Sequence, residues 1–269
     1  MAARRQKIRK TRARVEEGQT AVVPERPYHE LAVIYDELVG ETAFEFWREN
    51  FDRLVARYGI EFESAADIAC GTGLAVAYLS AMCDRVYGVD ISTDMLEVAR
   101  FRVRDPGVVF LEQSFTTLEL PEPVDLLTCN FDSLNYVLTE AEIEEAITRF
   151  WRSLKQGGHC IFDMNTTREL EAEWGTSVFV HRVSNGLAVW ESDWDRVLRI
   201  NTLRMTNFIE RGDGLYSRSE EVHRERSYEL DYLVGVLRAA GFARVEAYDA
   251  KGLTGVNEET RRVQFLARK

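Results

Sequence analysis

Cysteine is scarce in this chain, and none of it is arranged for metal or disulfide chemistry. Cys70, Cys83, Cys129 and Cys160 lie in or beside apolar segments, with no C-x-x-C spacing. That excludes a zinc ribbon or a disulfide framework and leaves buried thiols in a reducing cytosol as the expectation, with no metal. Long apolar runs are missing too. Nothing approaches the ~18 residues of a membrane span, and no signal-peptide core follows the N-terminus. A cytoplasmic protein without a membrane span is expected.

Positive charge is short everywhere except at the start. The net charge is −11, yet residues 1–15 carry seven basic side chains and no acid. The remainder holds 27 basic against 45 acidic residues. A body that acidic repels a phosphate backbone, which argues against a nucleic-acid partner. The basic stretch reads as a solvated, disordered arm over residues 1–26, with Pro24 and Pro27 marking its end.

What is present is a strand–turn–helix built on glycine. An apolar run over 65–70 reads as a buried strand, Gly71 and Gly73 permit a turn that a side chain would block, and 74–82 reads as a helix. Such a turn aims free backbone N–H groups at a ligand. Asp90 closes the next apolar strand, 17 residues after Gly73, a position that suits a carboxylate gripping ribose hydroxyls. The pattern alone does not choose the cofactor. A dinucleotide fingerprint requires a third glycine where Val76 stands, and Asp67, four residues before Gly71, gives D-x-x-x-G-x-G instead.

Around this core the chain alternates helix and strand. Helices are expected over 28–38 and 42–58, the second with Thr42-x-x-Glu45 in capping-box form. Strands are expected over 65–70, 86–90, 108–112, 124–130 and 158–163, with a helix over 140–155 opened by Thr139 and stopped by Gly157-Gly158. From 165 to 226 the period changes from 3.6 to 2. Asn185-Gly186 signals a hairpin, 197–210 a long strand, and 215–227 its antiparallel return. The chain then resumes with a helix over 228–240, ended by Gly241, and strands over 242–249 and 263–267. The expected domains are the arm at 1–26, an α/β domain at 27–164 and 227–269, and an antiparallel β insert or lid at 165–226.

With D-x-x-x-G-x-G and Asp90 in place, the chain resembles the class I S-adenosylmethionine-dependent methyltransferases. The resemblance covers about residues 28–268. It implies a doubly wound, Rossmann-like sheet of seven strands, the last antiparallel, with an N-terminal helical cover and the insert over the strand ends. It also implies S-adenosylmethionine as cofactor. Gly71 and Gly73 would lie by the methionine moiety, Asp90 on the ribose, and Ile91 on the adenine face. Tyr35 matches the tyrosine of an A-x-x-Y-D segment that faces the cofactor. Ser114 and Phe115 replace a Q-D-hydrophobic pattern, so a charge-assisted contact to the adenine amino group is lost. Asn130 and Phe131 complete the cofactor set with Asp67.

The segment from Asn130 to Tyr136 has no proline, unlike the N-P-P-Y-like residues of amino-methylating nucleic-acid enzymes. Cys129 would point into the sheet rather than act as a nucleophile. The D-S-L-N-Y run and the late H-R-E-R-S-Y resemble an uncharacterised bacterial group of small-molecule methyltransferases, which often has glutamine where Glu225 stands here. An amine, hydroxyl or carboxyl acceptor remains open. His223, Asp132 and Tyr35 are the candidate catalytic residues, His223 because imidazole titrates near neutrality. Asp132, Trp190, Trp194, His223 and Arg226 are the candidate acceptor-binding residues. By alternation His223 shares a face with Glu221 and Glu225, and Arg226 faces away.

The leading expectation is in-line methyl transfer from S-adenosylmethionine to a small-molecule N or O acceptor. The rivals are a nicotinamide-dependent oxidoreductase and a non-catalytic S-adenosylmethionine-binding module. The insert could instead serve a homodimer interface.

Overall fold

The computed structural model describes residues 6–9 and 35–269. Seven strands make one sheet in the order β11-β12-β6-β5-β2-β3-β4. They are β2 (Ser64–Ile68), β3 (Arg85–Asp90), β4 (Val108–Glu112), β5 (Val124–Cys129), β6 (Leu154–Asn165), β11 (Arg244–Asp249) and β12 (Arg262–Arg268). The first five run parallel, and β12 is antiparallel to both its neighbours. All five residues of β2 are buried, as a central strand covered on both faces requires. One face packs under α4 (Glu140–Ser153) and α5 (Leu230–Ala240), through Ile143, Ile147, Phe150, Leu233 and Leu237. The other packs under α1 (Glu41–Tyr58), α2 (Leu74–Ser80) and α3 (Thr93–Arg102), through Trp47, Phe51, Leu54, Val76, Leu79 and Leu96. This is the expected doubly wound α/β domain.

Several local expectations move. Thr139 caps α4 as read, accepting from the Glu142 N–H at 3.3 Å, but the helix ends at Ser153 and β6 begins at once. Gly157 and Gly158 therefore lie inside β6, where the pairing with β5 shifts register between Val124 and Leu126. A bulge of that kind uses glycine as readily as a helix stop does, and sequence alone does not separate the two. Helix α1 starts at Glu41, so Thr42 lies inside it rather than at its cap. Of the helix expected over 28–38, residues 28–34 lie outside the described residues, and Asp36–Gly40 forms a wide π-type turn leading into α1.

The insert is a second sheet, entirely antiparallel, in the order β1-β7-β8-β9-β10. Its own strands are β7 (Ser177–Val183), β8 (Gly186–Asp195), β9 (Ile200–Glu210) and β10 (Tyr216–Arg226). The long strand expected from 197 begins at Ile200, because residues 196–199 make the turn from β8. The first hairpin turns on Ser184 and Asn185, with Gly186 already paired to Val183. The fifth strand, β1 (Gln6–Arg9), comes from the basic arm and pairs with β7. At these four residues the expectation of a wholly solvated arm is corrected; the rest of the arm lies outside the described residues.

Two strands carry the chain between the sheets, leaving at Asn165 and returning at Arg226. The Asn135 amide donates to both backbone carbonyls, at 3.0 and 2.9 Å, and its oxygen accepts the Asn165 N–H at 2.9 Å. One buried side chain thus ties both crossings to the turn that follows β5. The inner face of the insert buries Ala188, Trp190, Leu203 and Met205 against Tyr35 and Leu38 of the N-terminal cover.

Candidate active site

A cavity of about 310 Å³ opens at the carboxyl ends of β2, β3 and β5, the place where ligands bind in open α/β sheets. Its walls include Tyr35, Gly71, Thr72, Asp90, Ile91, Ser114, Phe115, Phe131, Ser133 and Tyr136. The glycine turn is left-handed at both Gly71 (φ 53°) and Gly73 (φ 81°). At Gly71 a Cβ would meet nothing within 4 Å, so the backbone there borders open space. At Gly73 it would touch Ala99 of α3 at 3.0 Å. Gly71 therefore faces the cavity, whereas Gly73 permits α2 and α3 to approach and does not line it.

Asp90 is held by the N–H groups of Gly71 and Ser92, both at 2.8 Å. Burial raises its pKa, and those bonds oppose the rise. The next residue, Ile91, is 61% exposed at the cavity mouth, an apolar side chain that a flat aromatic ring would cover. Ser114 lines the wall, but its hydroxyl already engages Thr116 and Thr117 at 3.3 and 3.0 Å. A buried carboxylate presented beside an open glycine backbone and an uncovered apolar face fits an adenosine group.

Asp67 and Asn130 lie beneath the cavity rather than in its wall. The Thr128 hydroxyl and the Asn130 amide donate to Asp67 at 2.7 and 3.0 Å. Desolvation lifts the Asp67 pKa to about 7. These two residues support the floor under the glycine turn, and this corrects the expectation that they line the site.

Tyr35 reaches the wall because its neighbour is anchored. Asp36 accepts from the Thr72 hydroxyl at 2.6 Å and pairs with Arg102 of α3. The phenol's pKa is raised by burial first, then by the Asp132 and Asp90 charges. Sequence reading named Tyr35 and passed over Asp36, although the A-x-x-Y-D segment contains it.

On the far side, the Tyr136 hydroxyl lies 3.2 Å from His223 Nδ1, and His223 Nε2 lies 3.2 Å from Glu221. His223 is buried, and it borders the cavity only through Tyr136. The face of β10 bearing Glu221, His223 and Glu225 therefore points inward, not to solvent as a face of three polar residues suggests. Tyr136 was missed as a site residue, although it closes the D-S-L-N-Y run.

Other candidates lie elsewhere. Asp132 pairs with Arg262 at 2.9 Å and accepts from Asn165 at 2.7 Å, behind the wall. Burial raises its pKa, and that of Glu225 is raised well above the ordinary range, by burial first and then by Asp132. Arg226 faces away from His223, as strand alternation dictates. It donates to the Leu138 carbonyl at 2.9 Å and to Glu140 at 3.0 Å, which takes it off the acceptor side. Trp190 packs in the insert's own apolar cluster, with its ring 4.2 Å from that of His181, and neither it nor Trp194 lines the cavity.

The sheet order, the single late antiparallel strand and the glycine–aspartate cavity define a class I methyltransferase. Comparison with known proteins agrees. The methyltransferase-domain family matches residues 65–158. A protein of Geobacillus sp. (strain WCH70) named as a methyltransferase is 29% identical over 90% of this chain and 99% of its own. A dTDP-3-amino-3,6-dideoxy-alpha-D-glucopyranose N,N-dimethyltransferase of Streptomyces fradiae is 32% identical over 45% of this chain and 48% of its own. An S-adenosylmethionine-dependent methyltransferase structure from Clostridium acetobutylicum superposes with a TM-score of 0.79 at 25% identity, covering 90% of this chain and 98% of the other. The chain belongs to the class I S-adenosylmethionine-dependent methyltransferases. It is an enzyme whose cofactor is S-adenosylmethionine, which sets aside the nicotinamide and non-catalytic alternatives.

Proposed function

We propose that this methyltransferase acts on the nitrogen of a small-molecule amine. The observation that carries the reading is the Tyr136–His223–Glu221 chain, which meets the cavity at Tyr136. S-adenosylmethionine, when bound, supplies an electrophilic methyl group for in-line displacement by the acceptor. Asp90 and the Gly71 turn would hold its ribose side, and Tyr35 and Phe131 line walls that would exclude water. The Tyr136 hydroxyl takes the proton that the nitrogen gives up and passes its own to His223 Nδ1. Glu221 keeps the His223 Nε2 proton in place and stabilises the imidazolium that forms.

The sugar N,N-dimethyltransferase likeness supports an amine over a carboxyl or phenol acceptor.

The test is to incubate the protein with S-adenosylmethionine and matched amine, alcohol and carboxylate panels, amino sugars included, and to follow S-adenosylhomocysteine by mass spectrometry. Product with amines alone is expected. Turnover confined to alcohols or carboxylates would overturn the reading.

A further inference from the structure

We propose that Asp163 is the positioning residue that shapes the wall of the cofactor cavity. Phe131 and Asp132 follow β5 with φ of 58° and 54°. That left-handed backbone is disfavoured by roughly 1–2 kcal/mol for each residue carrying a Cβ. The ladder between β5 and β6 ends at Cys129 and Phe162, so the Phe131 and Asp132 N–H groups lie beyond it and need another partner. Asp163 supplies one for each: Oδ2 accepts from Phe131 at 3.1 Å and Oδ1 from Asp132 at 2.6 Å.

The carboxylate is itself fixed. Arg262 stands two residues from the cross-strand partner of Asp163, since Gln264 pairs with Asp163 and Arg262 with Asn165. Its guanidinium donates to Asp163 Oδ1 and to Asp132 Oδ1, both at 2.9 Å. Asn165, two residues along β6, bridges Asp132 and Glu225 at 2.7 and 3.2 Å, which ties the loop to the insert.

What the clamp holds is functional wall. Phe131 lines the cavity, and the turn Ser133–Tyr136 that starts from this loop contributes Ser133 and Tyr136. Without two acceptors at Asp163, the consecutive left-handed residues relax and the wall shifts. Asp163 does not itself line the cavity and acts through Phe131 and Asp132. The inference goes beyond the acceptor reading and rests on the cofactor site alone, so it is tested without knowing the acceptor.

The experiment compares S-adenosylhomocysteine affinity by calorimetry in Asp163→Asn and in Leu237→Ala, a cavity-forming variant in the remote helix α5, each at a temperature where it is folded. Asparagine keeps one acceptor and loses the other with the charge. Its dissociation constant is expected to rise about tenfold, the scale of one lost charge-assisted hydrogen bond. Leu237→Ala should stay within about twofold of the parent despite losing stability of the order expected for a core truncation. Unchanged affinity in folded Asp163→Asn, or equal losses in both variants, would overturn the proposal. If Asp163→Asn does not fold, Asp163→Glu keeps a charge for Arg262 while moving the oxygens off the two N–H groups. Weak binding in that folded variant supports the clamp, and parental affinity overturns it.

Discussion

The Thr72 hydroxyl donates a 2.6 Å hydrogen bond to Asp36, joining the N-terminal cover to the glycine turn. The same carboxylate pairs with Arg102 of α3, so the residue next to Tyr35 is fixed to two elements of the core. Asp36→Asn should therefore loosen the cover without disturbing the sheet. The Arg102 pair is part-exposed and contributes little, whereas the Thr72 bond to a charged group is worth about 1.5–3 kcal/mol. Asparagine keeps an amide oxygen for Thr72, so about 0.7–1.4 kcal/mol of this is lost. S-adenosylhomocysteine affinity should fall about threefold to tenfold and the melting temperature by a few degrees. Calorimetry beside a thermal melt checks both.

A ribose contact at Asp90 predicts that Asp90→Ala weakens cofactor binding by about ten- to a hundredfold. The Gly71 N–H it frees lies in the cavity wall, where water can meet it, whereas the Ser92 N–H is buried, so a modest loss of stability accompanies the change. Far-ultraviolet circular dichroism should be unchanged. A folded variant with parental affinity would remove Asp90 from the site.

Tyr136 and His223 should behave as one unit in turnover. Tyr136→Phe and His223→Gln are each expected to lower kcat about 10²-fold, at the low end for a lost proton acceptor. The double variant should fall little further than either single one. S-adenosylhomocysteine affinity should hold throughout. Multiplying losses would show that the two residues act separately.

Asp67 sets a pH signature. Desolvation raises its folded pKa to about 7, against an ordinary carboxylate value when unfolded. The protonated form is thus favoured by folding. The stability this confers is fully present below the unfolded pKa and is lost as pH rises through about 7. Urea midpoints should decline between pH 5 and 8. Asp67→Asn, which mimics the neutral acid, should flatten that decline, and an unchanged slope would assign it to other groups.

The legible parts of this protein were those whose meaning is local. Gly71, Asp90 and Ile91 sit within 21 residues on one strand–turn–helix–strand unit, so spacing alone brings them to one cavity. The antiparallel insert announced itself through its period. Gly157-Gly158 was ambiguous because a helix stop and a strand bulge use the same residue. Asp36, Tyr136 and Asp163 stayed hidden for another reason. Tyr136 meets His223 across 87 residues and Asp163 meets Arg262 across 99, pairings that only the folded sheet creates. The inward turn of Glu221, His223 and Glu225 was equally out of reach: their alternation was plain, but which face looked inward depended on the second sheet's placement.

Asn135 bears on how firmly the insert is held. Because its amide grips both strands that join the two sheets, the roof is pinned at its base and has no free hinge there. The N-terminal cover is tied differently, through Asp36 to the glycine turn and through Glu37 to Ser184 at the β7–β8 turn. Those are side-chain latches rather than paired backbone. Loosening the cover therefore requires only that the Asp36 and Glu37 side chains let go, whereas displacing the insert requires breaking the Asn135 bonds to both crossing strands.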